Sequence, residues 1–198
     1  MIGMAKSNSG VVLGALVVAV AMAAGTGAVG SSAGSSSGSG ADVPVAAGTG
    51  TRGDRMVARL DRVADRVEPL ASDAGSDCAA PATGQVRDYF QEHPCTELTR
   101  ARYRVQDGSA TVDVAVAWVD MPDADQALRY ENIIDTEGTG TVRPLTRDGT
   151  GTDTSFDGVA YDSVREGGTV LIAQAAPVDG GNGAGDLAER AVRAATAV

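Results

Sequence analysis

From Ser7 to Ala41 the chain carries no charged residue. The stretch opens with the apolar run Val11-Val12-Leu13-Gly14-Ala15-Leu16-Val17-Val18-Ala19-Val20, behind a single Lys6, and closes in a Ser/Gly/Ala tract. A positive residue, an apolar run of this length and small residues behind it are the parts of a secretory signal. Ala21-Met22-Ala23 is a suitable cut, and Ala28-Val29-Gly30 is a second. An uncleaved anchor needs about 20 predominantly apolar residues. Val11 to Gly30 reaches that length only by including Gly25, Thr26, Gly27 and Gly30. Both readings stand. In either, Val11, Leu13, Leu16, Val17, Val18 and Val20 form the apolar segment. Lys6 would hold the N-terminus inside, and no basic residue follows until Arg52. The remainder is therefore expected outside the cytoplasm, anchored by one N-terminal helix or secreted after cleavage. No Cys lies near either cut, which excludes a lipid-modified Cys.

The expected organisation is a signal or anchor over residues 1–30, a flexible Gly/Ser/Ala linker over 31–51, an amphipathic helix over 52–70 and an α+β domain over 77–198. The linker composition cannot bury enough apolar surface to order itself. As a coil it spans about 25 Å root-mean-square. About 150 residues remain, enough for one domain with one core. Aromatics are only 4% of the chain, so that core must be built from Val, Ala, Leu and Ile.

Charge narrows the partners. The net charge is -10, which argues against nucleic acid, since phosphate neutralisation needs a basic face. The basic residues are 15 Arg and one Lys, a pattern of coding bias. Arg52 to Glu68 is nearly balanced, whereas Leu70 to Val198 is strongly acidic.

Within 52–70, Met56, Leu60, Val63 and Val67 recur at helical spacing behind a possible N-cap at Asp54, and Pro69 ends the pattern. Arg55, Arg59, Arg62 and Arg66 would line another face, able to meet lipid head groups or a partner helix, or simply water. Gln85 to Glu92 reads as a short helix. Arg102 to Val105 and Ala110 to Val119 read as a hairpin about Asp107-Gly108. Val112, Val114, Val116 and Trp118 should point to the core, and Asp113, Ala115 and Ala117 away from it. A helix follows from Pro122 to Ile134, with Gly138 as its terminator. Thr141 to Leu145 is a possible third strand. Val159 to Val164 and Thr169 to Ala176 read as a second hairpin, and Asp186 as the cap of a last helix. The fold class is α+β: an antiparallel sheet of four to five strands from two hairpins, helices packed on one face, and one disulfide. Cys78 and Cys95, the only cysteines, should pair in an exported chain. A loop of that size is worth about 3 kcal/mol in the chain-entropy view.

No catalytic constellation emerges. His93 is the only histidine and sits where a helix should end. Gly34-Ser35-Ser36-Ser37-Gly38 lies in the linker, not on a strand-to-helix turn. Gly183-Ala184-Gly185-Asp186-Leu187-Ala188 has too little chain behind it for a dinucleotide unit. Arg52-Gly53-Asp54 is a chance tripeptide in an Arg/Gly/Asp-rich chain. Asp148, Asp153 and Asp157 share one Gly/Thr-rich loop and are weak metal candidates, since hard cations favour carboxylates on such loops. Asp120, Asp123 and Asp125 have a simpler explanation at a helix start.

Three segments carry a resemblance: His93-Pro94-Cys95-Thr96-Glu97-Leu98-Thr99-Arg100, Ala117-Trp118-Val119-Asp120-Met121-Pro122 and Asp135-Thr136-Glu137-Gly138-Thr139-Gly140. Together they resemble uncharacterised exported or membrane-anchored proteins of actinobacteria, over Cys78 to Val178. The resemblance implies an extracytoplasmic location and no catalytic residue. The disulfide-clamped α+β architecture is also similar to extracellular sensor or lipoprotein domains, a likeness that does not fix function.

The leading expectation is a non-enzymatic extracytoplasmic domain, without cofactor, that binds a protein or cell-envelope component. It would touch the membrane through its N-terminal segment if that is uncleaved, and would not bind nucleic acid. A metal-assisted hydrolase would need Asp148, Asp153 and Asp157 to converge. A structural accessory of a membrane complex would dock through Asp54 to Val67.

Overall fold

A computed structural model of the protein describes residues 50–178 and 181–198. The apolar segment from Val11 to Val20, both cut sites and nearly all of the linker lie outside the described residues. The elements are α1 (Gly50–Leu60), β1 (Arg66–Gly75), α2 (Gly84–Glu92), β2 (Glu97–Asp107), β3 (Ala110–Asp120), α3 (Ala124–Ile134), β4 (Ala160–Glu166), β5 (Thr169–Pro177) and α4 (Ala184–Thr196). The five strands form one antiparallel sheet in the order β1-β2-β3-β5-β4. The expected fold class stands, with both hairpins in place and Cys78 bonded to Cys95. Among the described residues no helix is long and apolar enough to cross a membrane.

Alternation along the strands sorts the sheet into two faces. Val112, Val114, Val116 and Trp118 of β3 join Ala101, Tyr103 and Val105 of β2 and Leu171, Ala173 and Ala175 of β5 in one core. Met56 and Leu60 of α1, with Leu187, Ala188, Ala191, Val192 and Ala195 of α4, close it from above. The opposite face carries Leu98, Ala117, Val119, Val170 and Ile172, covered by Val86, Tyr89 and Phe90 of α2 and Ala127, Tyr130 and Ile134 of α3. Helices thus occupy both faces, not the single face expected. The reason lies in β3, which is buried from Val112 to Val119 without alternation. Its Asp/Ala side needs a cover as much as its valine side does. Trp118 is a core residue, as expected.

The largest departure lies before Cys78. The helix expected over 52–70 ends at Leu60, and Arg66–Gly75 is strand β1, paired from Arg66↔Gln106 to Gly75↔Leu98. Met56 and Leu60 obey helical spacing because they are buried against α4 and the sheet. Val63 falls in a turn, and Val67 pairs with Val105. Pro69 sits on an edge strand beside a register shift between Pro69 and Ala71, the place where a sheet tolerates a missing N–H. The folded unit therefore includes α1 and β1 and does not begin at residue 77.

The basic stripe dissolves with that helix. Arg55 Nε donates to Thr51 O and Arg59 Nη1 to Ala195 O, while Arg62 lies in the turn and Arg66 opens β1. Arg52, from the adhesion-like tripeptide, donates through both terminal nitrogens to Asp120, at 2.8 and 2.9 Å. Burial pulls the Asp120 carboxyl upward. The Arg52 fork and the Thr169 hydroxyl outweigh it and hold the group below its ordinary value.

Two smaller corrections concern caps and strands. Gly183, not Asp186, is the N-cap of α4, and Asp186 sits in the first turn. Thr141 to Leu145 does not enter the sheet and makes only the isolated bridges Ala82↔Val142 and Leu145↔Thr152. The first bridge belongs to a tight backbone clasp. Thr83 N donates to Thr141 O, and Gln85 N to Thr139 O at 2.7 Å. Gly140, at φ +107°, lies so close to Thr83 that a Cβ there would meet its carbonyl oxygen at 2.1 Å. Only glycine fits that approach.

Candidate functional site

Strand β2 presents Arg100, Arg102 and Arg104 at alternate positions, hence on one side of the sheet, the side that Leu98 shares with α2 and α3. Asp113 faces Arg104 across the ladder and Ala115 faces Arg102. The helices cover only the far half of this face. The near half is covered by the segment 141–157, which folds on itself. Thr146 N donates to Gly151 O, Asp153 N donates to Pro144 O, and Gly149 passes so near β1 that a Cβ there would meet that of Ala71 at 3.2 Å.

Asp113 is the centre of the near half, with only 2% of its side chain exposed. Arg147 Nε donates to its Oδ2 at 2.6 Å, Arg102 Nη2 to the same oxygen at 3.0 Å, and Arg104 Nε to Oδ1 at 3.2 Å. A carboxylate this buried would carry a large desolvation cost, which three charge-assisted donors offset. Arg102 is equally buried, at 3%. Its Nη1 donates to Leu145 O and to Asp153 Oδ2, both at 2.7 Å. Its guanidinium lies 4.8 Å from the Phe156 ring centroid, a cation–π contact. Arg102 Nε has no partner among the described residues. Beside this group Arg100 is paired with Asp73.

Above the network opens a cleft of about 640 Å³. Arg102 and Asp113 form its floor; Arg147, Asp148, Phe156 and Asp157 contribute to its walls, with the hydroxyls of Thr146, Thr150 and Ser155. Two carboxylates here, Asp148 and Asp153, are held below the ordinary carboxylate range. The Arg102 hydrogen bond draws Asp153 down to about 2, with help from Ser155 and against partial burial. The Thr146 hydroxyl, then the Thr150 amide and hydroxyl, lower Asp148. With the arginines permanently charged, these two acids and Arg102 and Arg147 are fixed charges. A group pinned so far from neutrality is a poor proton donor or acceptor.

The three loop acids expected as metal candidates share this cleft but have different work. Asp148 Oδ1 accepts from Thr146 and Thr150, closing a local turn. Asp153 holds Arg102 and Ser155. The Asp157 side chain is exposed and makes no hydrogen bond among the described residues. No three His, Cys, Asp or Glu residues gather into a metal-holding group among the described residues. His93 is the C-cap residue of α2 and packs on Tyr89 at 4.8 Å between ring centroids. Asp123 is the N-cap of α3, accepting from Gln126 N at 2.8 Å.

Sequence reasoning missed Arg100, Arg102, Arg104, Asp113 and Arg147. The signal was available: arginine at every second position of a strand, opposite a lone Asp on the next strand. Comparison of the chain with family models, with curated proteins and with solved structures finds no match.

Proposed function

We propose that this protein is a non-enzymatic extracytoplasmic binding domain, and that the cleft over Asp113 is where it meets a cell-envelope component. The observation that carries the reading is the fixed-charge character of the cleft. Its arginines and its carboxylates Asp113, Asp148 and Asp153 are oriented by one another or by loop hydroxyls, and two of those carboxylates are driven further into the ionised form. Such a surface is preorganised for recognition by charge and hydrogen bonding and poorly suited to proton transfer. The Cys78–Cys95 bond supports an oxidising compartment, and the apolar segment from Val11 to Val20 supports export.

The test is co-sedimentation of the oxidised protein with isolated envelope fragments, comparing the native chain with Arg147→Glu. The expected result is salt-sensitive binding that the substitution abolishes. Equal sedimentation of both proteins, or of neither, would refute the assignment of the cleft.

A further inference from the structure

Arg104 and Arg147 are anchored in the same unusual way. Each gives its Nε–H to Asp113. The terminal nitrogens of both have no hydrogen-bond partner among the described residues. Arg147 keeps 53% of its side chain exposed and Arg104 28%. A guanidinium held by Nε and open at its outer edge is a preformed fork for a planar oxyanion. Its orientation is set before a ligand arrives, so less entropy is lost on binding.

Asp157 lies on the same cleft as Arg147 without pairing with it. An exposed carboxylate and an open guanidinium share one cavity and remain apart, so a ligand can span them with both kinds of charge. The overall charge selects in the same direction. At -10, the long-range field repels polyanions, and Asp148 and Asp157 penalise a second negative charge inside the cleft. Carboxylates are welcome only where a positive group accompanies them.

We infer that the cleft binds a zwitterionic ligand of the amino acid or short peptide class, with the ligand carboxylate on the outer edge of Arg147, the open guanidinium that lines the cleft, and its ammonium against Asp157. This rests on the reading of the cleft as the binding surface and names the class of ligand.

The experiment is an NMR titration of the full-length oxidised protein, observing arginine Nε–H and backbone amide signals. The probes are alanyl-alanine, its N-acetyl form, its C-terminal amide and inorganic phosphate. Alanyl-alanine should shift the Nε–H signal of Arg147 and the amides of Thr150 and Ser155, with saturation. Each blocked form should bind about tenfold more weakly or worse, the expected loss of one charge-assisted contact. Phosphate should not compete. Arg147→Gln and Asp157→Asn should each cost a similar factor. Both side chains reach solvent and Asp113 keeps two other arginines, so both variants should fold, as their unchanged core amides will show. Equal affinity for the N-acetyl form would make this a carboxylate site without an ammonium subsite. Phosphate binding would make it a general oxyanion site, and no shift with alanyl-alanine would remove the ligand class. Each of these overturns the inference. The co-sedimentation of Arg147→Glu decides separately whether the cleft binds at all.

Discussion

Two ends of one sheet face are built from different materials. At the far end Leu98, Ala117, Val119 and Ile172 meet α2 and α3 through hydrocarbon and aromatic rings, with Phe90 and Tyr130 at 4.8 Å between centroids. At the near end, on the same strands, Arg102 and Asp113 are as deeply buried, but their cover is a loop held by ion pairs. Apolar contacts are non-directional, so the far end can repack around a change. Ion pairs out of water are directional and conditional, and losing a buried partner leaves a charge without full compensation. The near end therefore offers what a recognition surface requires, charges at fixed positions, and it does so at a cost in robustness.

Four measurements would break or sharpen this contrast. The largest effects should come from the centre of each end. Phe90→Ala should cost about 3–5 kcal/mol through a cavity, and Asp113→Ala a similar amount by removing the buried acceptor that three arginines share and leaving Arg102 with Asp153 alone, both read by urea denaturation. The two differ in rescue. Arg102→Met added to Asp113→Ala should recover part of the loss, because the buried guanidinium whose Nη2 has lost its acceptor is gone, while the partly exposed Asp153 can turn to water. If the double variant is no better than Asp113→Ala alone, the near end is not limited by charge burial.

Next comes removal of the disulfide. Cys78→Ala with Cys95→Ala should cost about 2–4 kcal/mol and should act at the far end, where both sulfurs join the aromatic cluster. Hydrogen exchange in α2 should rise more than exchange in segment 141–157; the reverse order would contradict the division of the face.

Acid should act on the other end. The Asp153 carboxyl titrates near 2 in the folded chain against 3.8 ordinarily. Its folded value is depressed, so its contribution is complete above the ordinary value and is lost as pH falls from about 4 towards 2. Amide exchange at Thr146 and Asp153 should accelerate across that window before exchange in α3 does, and Asp153→Asn should flatten the response. The smallest effect should be Arg147→Gln, within about 1 kcal/mol of the native stability because the side chain is half exposed. A larger loss would make Arg147 a structural member of the network and not an open fork.

The contrast also explains what could be read from the sequence. Both hairpins, α2, α3 and the disulfide follow from local signals: alternating valines, Asp107-Gly108, Pro122 at a helix start, and a single pair of cysteines. Strand β1 was hidden because Val63 and Val67 continue the helical spacing of Met56 and Leu60 by coincidence, and Pro69 masquerades as a helix terminator. The near end was hidden for a different reason. Arginine is abundant in this chain, so Arg100, Arg102 and Arg104 look like ordinary solvated charge until a cover is placed over them. That cover, segment 141–157, has no regular element to announce it. Asp148, Asp153 and Asp157 were correctly grouped in one loop, but their partners lie far away in sequence on β2.

The register shift at Pro69 has a consequence beyond one chain. A sheet that ends in an open strand can be extended by any passing strand of another molecule. Here the outer strand β1 lacks an N–H at Pro69 and loses its regular spacing at Ala71, while the opposite border, β4, is a short strand bearing Asp162, Arg165 and Glu166. Neither border offers an unbroken neutral template. Many copies crowded on one surface can therefore lie side by side without zipping into a shared ladder.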